Sequence, residues 1–142
     1  MDPISITASA IIVAALAQAT CRSFSALRAL CKALPGRLHA LNNEVSDIEA
    51  VLVQVATVSK ERAKFIPDTQ QQAIPQLLKQ AEAKLIELQA AVEELAKLCD
   101  SDKFVLVQAH AWRRKQPKLL ALQEDIKSVK CSLNIVLGAS NS

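Results

Sequence analysis

The stretch that decides the fold is Leu38-His39-Ala40-Leu41-Asn42-Asn43-Glu44-Val45-Ser46-Asp47-Ile48-Glu49-Ala50-Val51-Leu52-Val53-Gln54-Val55. Leu38, Leu41, Val45, Ile48, Leu52 and Val55 follow one another at alternating steps of three and four. A helix therefore carries them as one apolar seam, while Asn42, Asn43, Glu44, Asp47 and Glu49 fall on its other faces. The spacing predicts a helix over 37–65, fading before Pro67, which disfavours the α conformation of the residue preceding it.

The same pattern recurs downstream. Ile74, Leu78, Ala81, Leu85, Leu88, Val92, Leu95 and Cys99 mark a helix over 73–99, entered by the polar connection 67–72, with Lys79, Glu82, Lys84, Glu87, Glu93 and Glu94 outside. Asp100-Ser101-Asp102 breaks that pattern. A last helical region over 103–137 regains heptad spacing at Leu119, Leu122, Ile126, Val129, Leu133 and Val136, and Pro117 either kinks it or starts a new helix. Upstream, Asp2-Pro3 is a helix start, with Asp able to accept orphan N–H groups and Pro suited to the first helical position. Helices are expected over 3–18 and 20–34, the second continuing the first or following a bend, and Pro35-Gly36 closes them.

Composition agrees. In 142 residues, 51% are hydrophobic but only 3% are aromatic, with two Gly and five Pro. An all-β sandwich or barrel needs more turns and more aromatic strands. Charged residues of both signs at 22% exclude a disordered chain. The expectation is an all-α protein, one domain over 1–142, folded as a compact four- to five-helix bundle with an apolar N-terminal helix and sequential helices as antiparallel neighbours. An extended coiled coil is the competing arrangement, but the breaks cut the repeats to roughly three heptads each.

From Pro3 to Cys21 no residue is charged, and Ile4, Ile6, Ile11, Ile12, Val13 and Leu16 stand among six alanines. These large side chains point in nearly every direction around a helix. Such a helix belongs either at the centre of a bundle or in a membrane. Its length approaches the roughly twenty residues that a bilayer requires, but Ser5, Thr7, Ser9, Gln18 and Thr20 make it a weak permanent anchor. Ser5/Ser9, Ala10/Ala14 and Ala15/Ala19 permit close helix contact in lipid or in a protein core.

The net charge of +3 hides segregation. Arg22, Arg28, Lys32 and Arg37 form one acid-free basic segment, and Lys103, Arg113, Arg114, Lys115 and Lys118 form another; residues 67–102 carry seven acids against three lysines. Basic clusters beside an apolar helix suit anionic lipids, pair equally well with acidic helices of a second copy, or simply form solvated faces. Nucleic acid is not expected, because stacking aromatics and a recognition motif are missing.

No phosphate loop, G-x-S-x-G, H-E-x-x-H or suggestive Cys/His pair occurs, so the chain is not read as an enzyme and no cofactor is expected. Cys21, Cys31, Cys99 and Cys131 are widely spaced, with only His39 and His110 as nitrogen donors, so no metal site is expected. With no basic n-region before Arg22 no secretory signal is expected, and four reduced cysteines in a cytosolic protein are expected. Trp112 fits a packing anchor at one end of the bundle or, alternatively, an interfacial membrane contact.

The opening Met1-Asp2-Pro3-Ile4-Ser5-Ile6-Thr7-Ala8-Ser9, with its apolar continuation, resembles the start of the fungal HeLo-like domains that stand at the N-terminus of STAND and NACHT-type NLR receptors. Trp112, the string Leu122-Gln123-Glu124-Asp125-Ile126-Lys127-Ser128-Val129-Lys130-Cys131-Ser132-Leu133-Asn134 and the close Val136-Leu137-Gly138-Ala139 resemble that family's final helix. The middle is similar only as helical pattern. The resemblance implies a cell-death-inducing bundle of fungal innate immunity or heterokaryon incompatibility, in which clustering releases the N-terminal helix, here Ile4 to Leu16, onto the plasma membrane. It implies self-association, a cytoplasmic resting state, and a receptor or sensor module in cis or in trans. The competing expectation is a protein–protein adaptor domain of a STAND receptor that never enters lipid.

Overall fold

The computed structural model describes residues 3–30, 37–61, 68–101 and 105–141. Every described residue is helical: α1 (Pro3–Leu30), α2 (Arg37–Glu61), α3 (Asp68–Ser101) and α4 (Val105–Asn141). The protein is an all-α bundle of four helices with an apolar N-terminal helix.

The seams predicted on α2 and α3 are buried without exception, from Leu38 to Val55 and from Ile74 to Cys99. On α4, Leu119, Leu122, Ile126, Val129 and Leu133 are buried, and the seam closes with a step of four on Leu137, leaving Val136 partly covered. Trp112 is buried in the same core.

Several boundaries differ from expectation. Of the two alternatives for 3–18 and 20–34, continuation holds: Ala19 and Thr20 carry the helix on, and the Thr20 hydroxyl donates to the Leu16 carbonyl at 2.8 Å. Such a bond one turn back satisfies the hydroxyl without leaving the helix. The ends expected at Pro35-Gly36 and at 62–65, and the start at 103, lie outside the described residues. The third helix begins at Asp68, so the glutamine run extends it rather than forming a connection, and Pro75 lies within its first turns. Pro117 lies inside α4, so of the two alternatives it does not begin a new helix. It leaves the Arg113 carbonyl without its helical donor, on the exposed side of the helix.

The packing order also departs from a simple up-and-down bundle. α1 packs on α2 and α3, and α4 packs on α2 and α3, so α1 lies diagonal to α4, and α2 diagonal to α3. The expectation that all sequential helices are neighbours therefore fails at the step from α2 to α3. The neighbouring pairs α1/α2 and α3/α4 are antiparallel: Thr7 Oγ1 lies 3.5 Å from the Ala56 carbonyl, and Lys84 and Lys115 reach Asp125 and Glu94 at 3.3 and 2.7 Å.

One expectation about the cysteines is corrected. Cys21 and Cys131 are free thiols, but Cys99 is disulfide-bonded; Cys31 lies outside the described residues. Wide spacing in sequence excludes a clustered metal site but says nothing against two cysteines meeting through the fold. A disulfide consumes two of the four thiols, so the unfolded, unreduced chain should titrate as two thiols and the reduced chain as four. Four thiols before reduction would contradict the bond.

Candidate functional site

α1 brings together what a membrane-active segment and a core helix each require. Its buried stripe runs through Ile6, Ala10, Val13, Ala14, Ala17, Thr20, Phe24 and Leu27, again at steps near three and four. Three of these eight are alanine, and their small side chains let α1 lie close on its neighbours. The six large residues of the charge-free segment are thereby divided. Ile6 and Val13 are buried and Leu16 is half-buried, whereas Ile11 and Ile12 are 56% and 65% exposed. The Ile4 side chain is outside the described positions. Ser5–Leu30 forms a 26-residue stretch long and apolar enough to cross a membrane, a test that the core helix of a soluble protein also passes.

Ile11 and Ile12 belong to a wider surface. Between α1 and α2 runs an open groove of about 250 Å³, lined by Ile11, Ala14, Ala15 and Gln18 on one side and Glu49, Val53 and Ala56 on the other. Val53 is 52% exposed there, and Ser46 and Ala50 extend the same α2 surface. Sequence reasoning assigned Glu49 only to a polar face and passed over Val53. The available signal was a β-branched residue standing one place off the three-four seam, between Leu52 and Gln54. Glu49 also bears on Cys21: burial pushes that thiol up from its ordinary value, and the nearby carboxylate adds to the shift.

The basic candidates separate by environment. Arg22 and Arg28 are exposed on α1; Lys32 and the Arg37 side chain lie outside the described positions. On α4, Arg113, Arg114 and Lys118 are exposed, while Lys115 is held by Glu94 on α3 at 2.7 Å. The hydrogen bond from Lys115, then its charge, and more weakly Lys118 and Arg114, hold the Glu94 carboxyl below its usual value. Three cations of the cluster thus remain turned to solvent, and one is spent within the fold.

A further ionic contact was not read from sequence. Lys130 on α4 reaches Glu44 and Asp47 on α2, the latter at 3.7 Å. Lys130 and Glu44 are largely covered, and the hydrogen bond to Glu44 leads the effects that raise the Lys130 pKa. Lys130 stands beside seam residue Val129, and only the placing of α4 against α2 gives it a partner. His39 and His110 are exposed, and no group of acidic, His and Cys side chains suited to a metal occurs among the described residues. No family model, curated protein or solved structure matches the chain.

Proposed function

We propose that the protein is a membrane-targeting helical module of the HeLo-like kind, cell-death-inducing in a fungal NLR-like or incompatibility system, which acts by self-association and delivery of α1 to lipid. One observation carries this reading: α1 is long and apolar enough to span a bilayer, yet it leaves Ile11 and Ile12 in solvent. The exposed cations Arg113, Arg114 and Lys118 suit approach to an anionic surface, each contributing about 1 kcal/mol near such a membrane. In this reading the chain rests in the cytoplasm and reaches the plasma membrane on activation, under a receptor or sensor module in cis or in trans.

Vesicle flotation tests it. The intact chain should float with vesicles containing anionic lipid and stay behind with neutral ones, and Arg113→Glu/Arg114→Glu/Lys118→Glu should abolish flotation at unchanged helical content. Failure of the unsubstituted chain to float would favour a second reading, a protein–protein adaptor of a STAND receptor without membrane activity. The groove between α1 and α2 is the observation that favours that alternative.

A further inference from the structure

We infer that the bundle stands end-on upon an anionic lipid surface, with the end where α1 finishes turned to the membrane, and that α1 then turns over about that end. The inference rests on the membrane reading above and adds which end meets lipid and which way α1 travels. Three side-chain contacts fix how the helices run. Thr7 of α1 is level with Ala56 of α2, Lys130 of α4 with Glu44 and Asp47 of α2, and Lys115 of α4 with Glu94 of α3. Residues 62–67 alone join Glu61 to Asp68, a reach of at most about 24 Å. α2 and α4 therefore run parallel, since the opposite sense would part Glu61 from Asp68 by roughly 40 Å. Counted from those contacts at about 1.5 Å per residue, Leu30 of α1 and Lys118 of α4 come out level, each roughly 5 Å past the first residue of α2.

Charge is sorted along this axis. Arg28, Arg113, Arg114 and Lys118, all exposed, gather at the end where α1 finishes. The acids of α3 at this level, Glu93 and Glu94, are offset by Lys97 and by Lys115, which Glu94 holds. The middle of the bundle sets Lys84 and Lys130 against Asp125, Glu44 and Asp47. Toward the opposite end the sequence gives α1 no charge from Pro3 until Arg22, α4 none after Lys130, and α2 only the opposed pair Lys60 and Glu61. An anionic surface therefore attracts one end of the bundle and leaves the other without a pull.

End-on docking sets the path of α1. Ile11 and Ile12 stand about 28 Å from Leu30 along the helix, so they meet no lipid while the bundle is closed. α1 reaches the bilayer by turning over about its Leu30 end, with its N-terminus leading. The charge-free part that enters, residues 3–20, is about 27 Å long, close to the roughly 30 Å of a hydrocarbon core. Arg22 then halts in the headgroup layer, where Arg28 and the α4 cations already stand. No charged side chain of α1 has to cross, and the same cations serve the docked and the inserted state.

Energy transfer from a donor dye to rhodamine-headgroup lipid reads the orientation on vesicles of phosphatidylcholine and phosphatidylserine, using the full chain with Cys21 and Cys131 replaced by serine. The dye goes on His110→Cys or on Asn134→Cys, both exposed on α4 and about 36 Å apart along it. Transfer should be strong from position 110 and weak from position 134. Arg28→Ala should weaken binding about fivefold, and Lys60→Ala, at the far end, should leave it unchanged. An NBD group on Ala8→Cys should be protected from dithionite added outside the vesicles once α1 has entered. Equal transfer from both positions, stronger transfer from position 134, or dithionite access to position 8 on vesicle-bound protein would overturn the inference while leaving the membrane reading in place. A parent chain that does not float removes that reading and this inference together.

Discussion

Truncation of Phe24 to alanine should lower the unfolding free energy by about 3–5 kcal/mol, the cost of removing a large buried ring and leaving the space unfilled. Phe24 is fully buried and is the one aromatic on the core side of α1. Its neighbours on the stripe are Ala17, Thr20 and Leu27, none of which can fill the space that the ring leaves. The same substitution removes nothing from the charge-free segment before Arg22. Membrane association should therefore rise while the melting temperature falls, and urea denaturation followed by vesicle flotation reads both. Loss of stability without a gain in flotation would show that holding α1 in the bundle is not what restrains lipid binding.

The second large effect is expected at the contact between α2 and α4. Lys130→Met leaves Glu44 covered without its cation and should cost about 1–3 kcal/mol, the penalty of a buried polar group deprived of its partner. Lys130→Met/Glu44→Leu should recover most of the loss, since matched apolar groups at such a site are often neutral. The effect carries a pH signature. The folded-state pKa of Lys130 is raised above the ordinary 10.5, first by its hydrogen bond to Glu44. Its contribution is therefore complete below that value and disappears as pH rises through the folded pKa. Alkaline unfolding of the parent and of Lys130→Met should converge at high pH; a constant gap across the range would contradict the assignment.

What was legible in the sequence follows from which signals are local. The seams of α2 and α3 are written in large aliphatics at regular steps, and the structure buries each of those residues. The core side of α1 was hidden because alanines and Thr20 supply much of it, and hydrophobic size gives them no weight. Counting Ala10, Ala14, Ala17 and Phe24 with Ile6 and Val13 exposes the stripe, and leaves Ile11 and Ile12 as the outward pair. Of the two readings open for Pro117, a new helix is removed, since α4 runs through it. The diagonal placing of α2 and α3, the pairing of Lys130 and the Cys99 disulfide depend on which helices meet. No periodicity encodes that.

If α1 must leave α2 to enter lipid, a reversible clasp between the two should block its entry. Thr7 Oγ1 approaches the Ala56 carbonyl at 3.5 Å, so Thr7→Cys/Ala56→Cys, with Cys21 and Cys131 replaced by serine, places a bond across the contact that must open. Dye release from anionic vesicles is the readout, with the serine-replaced chain lacking the clasp as control under the same reductant. The oxidised clasp should block release, reduction should restore it, and the control should release dye in both conditions. Equal release from clasped and reduced protein, or none from the control, would contradict it.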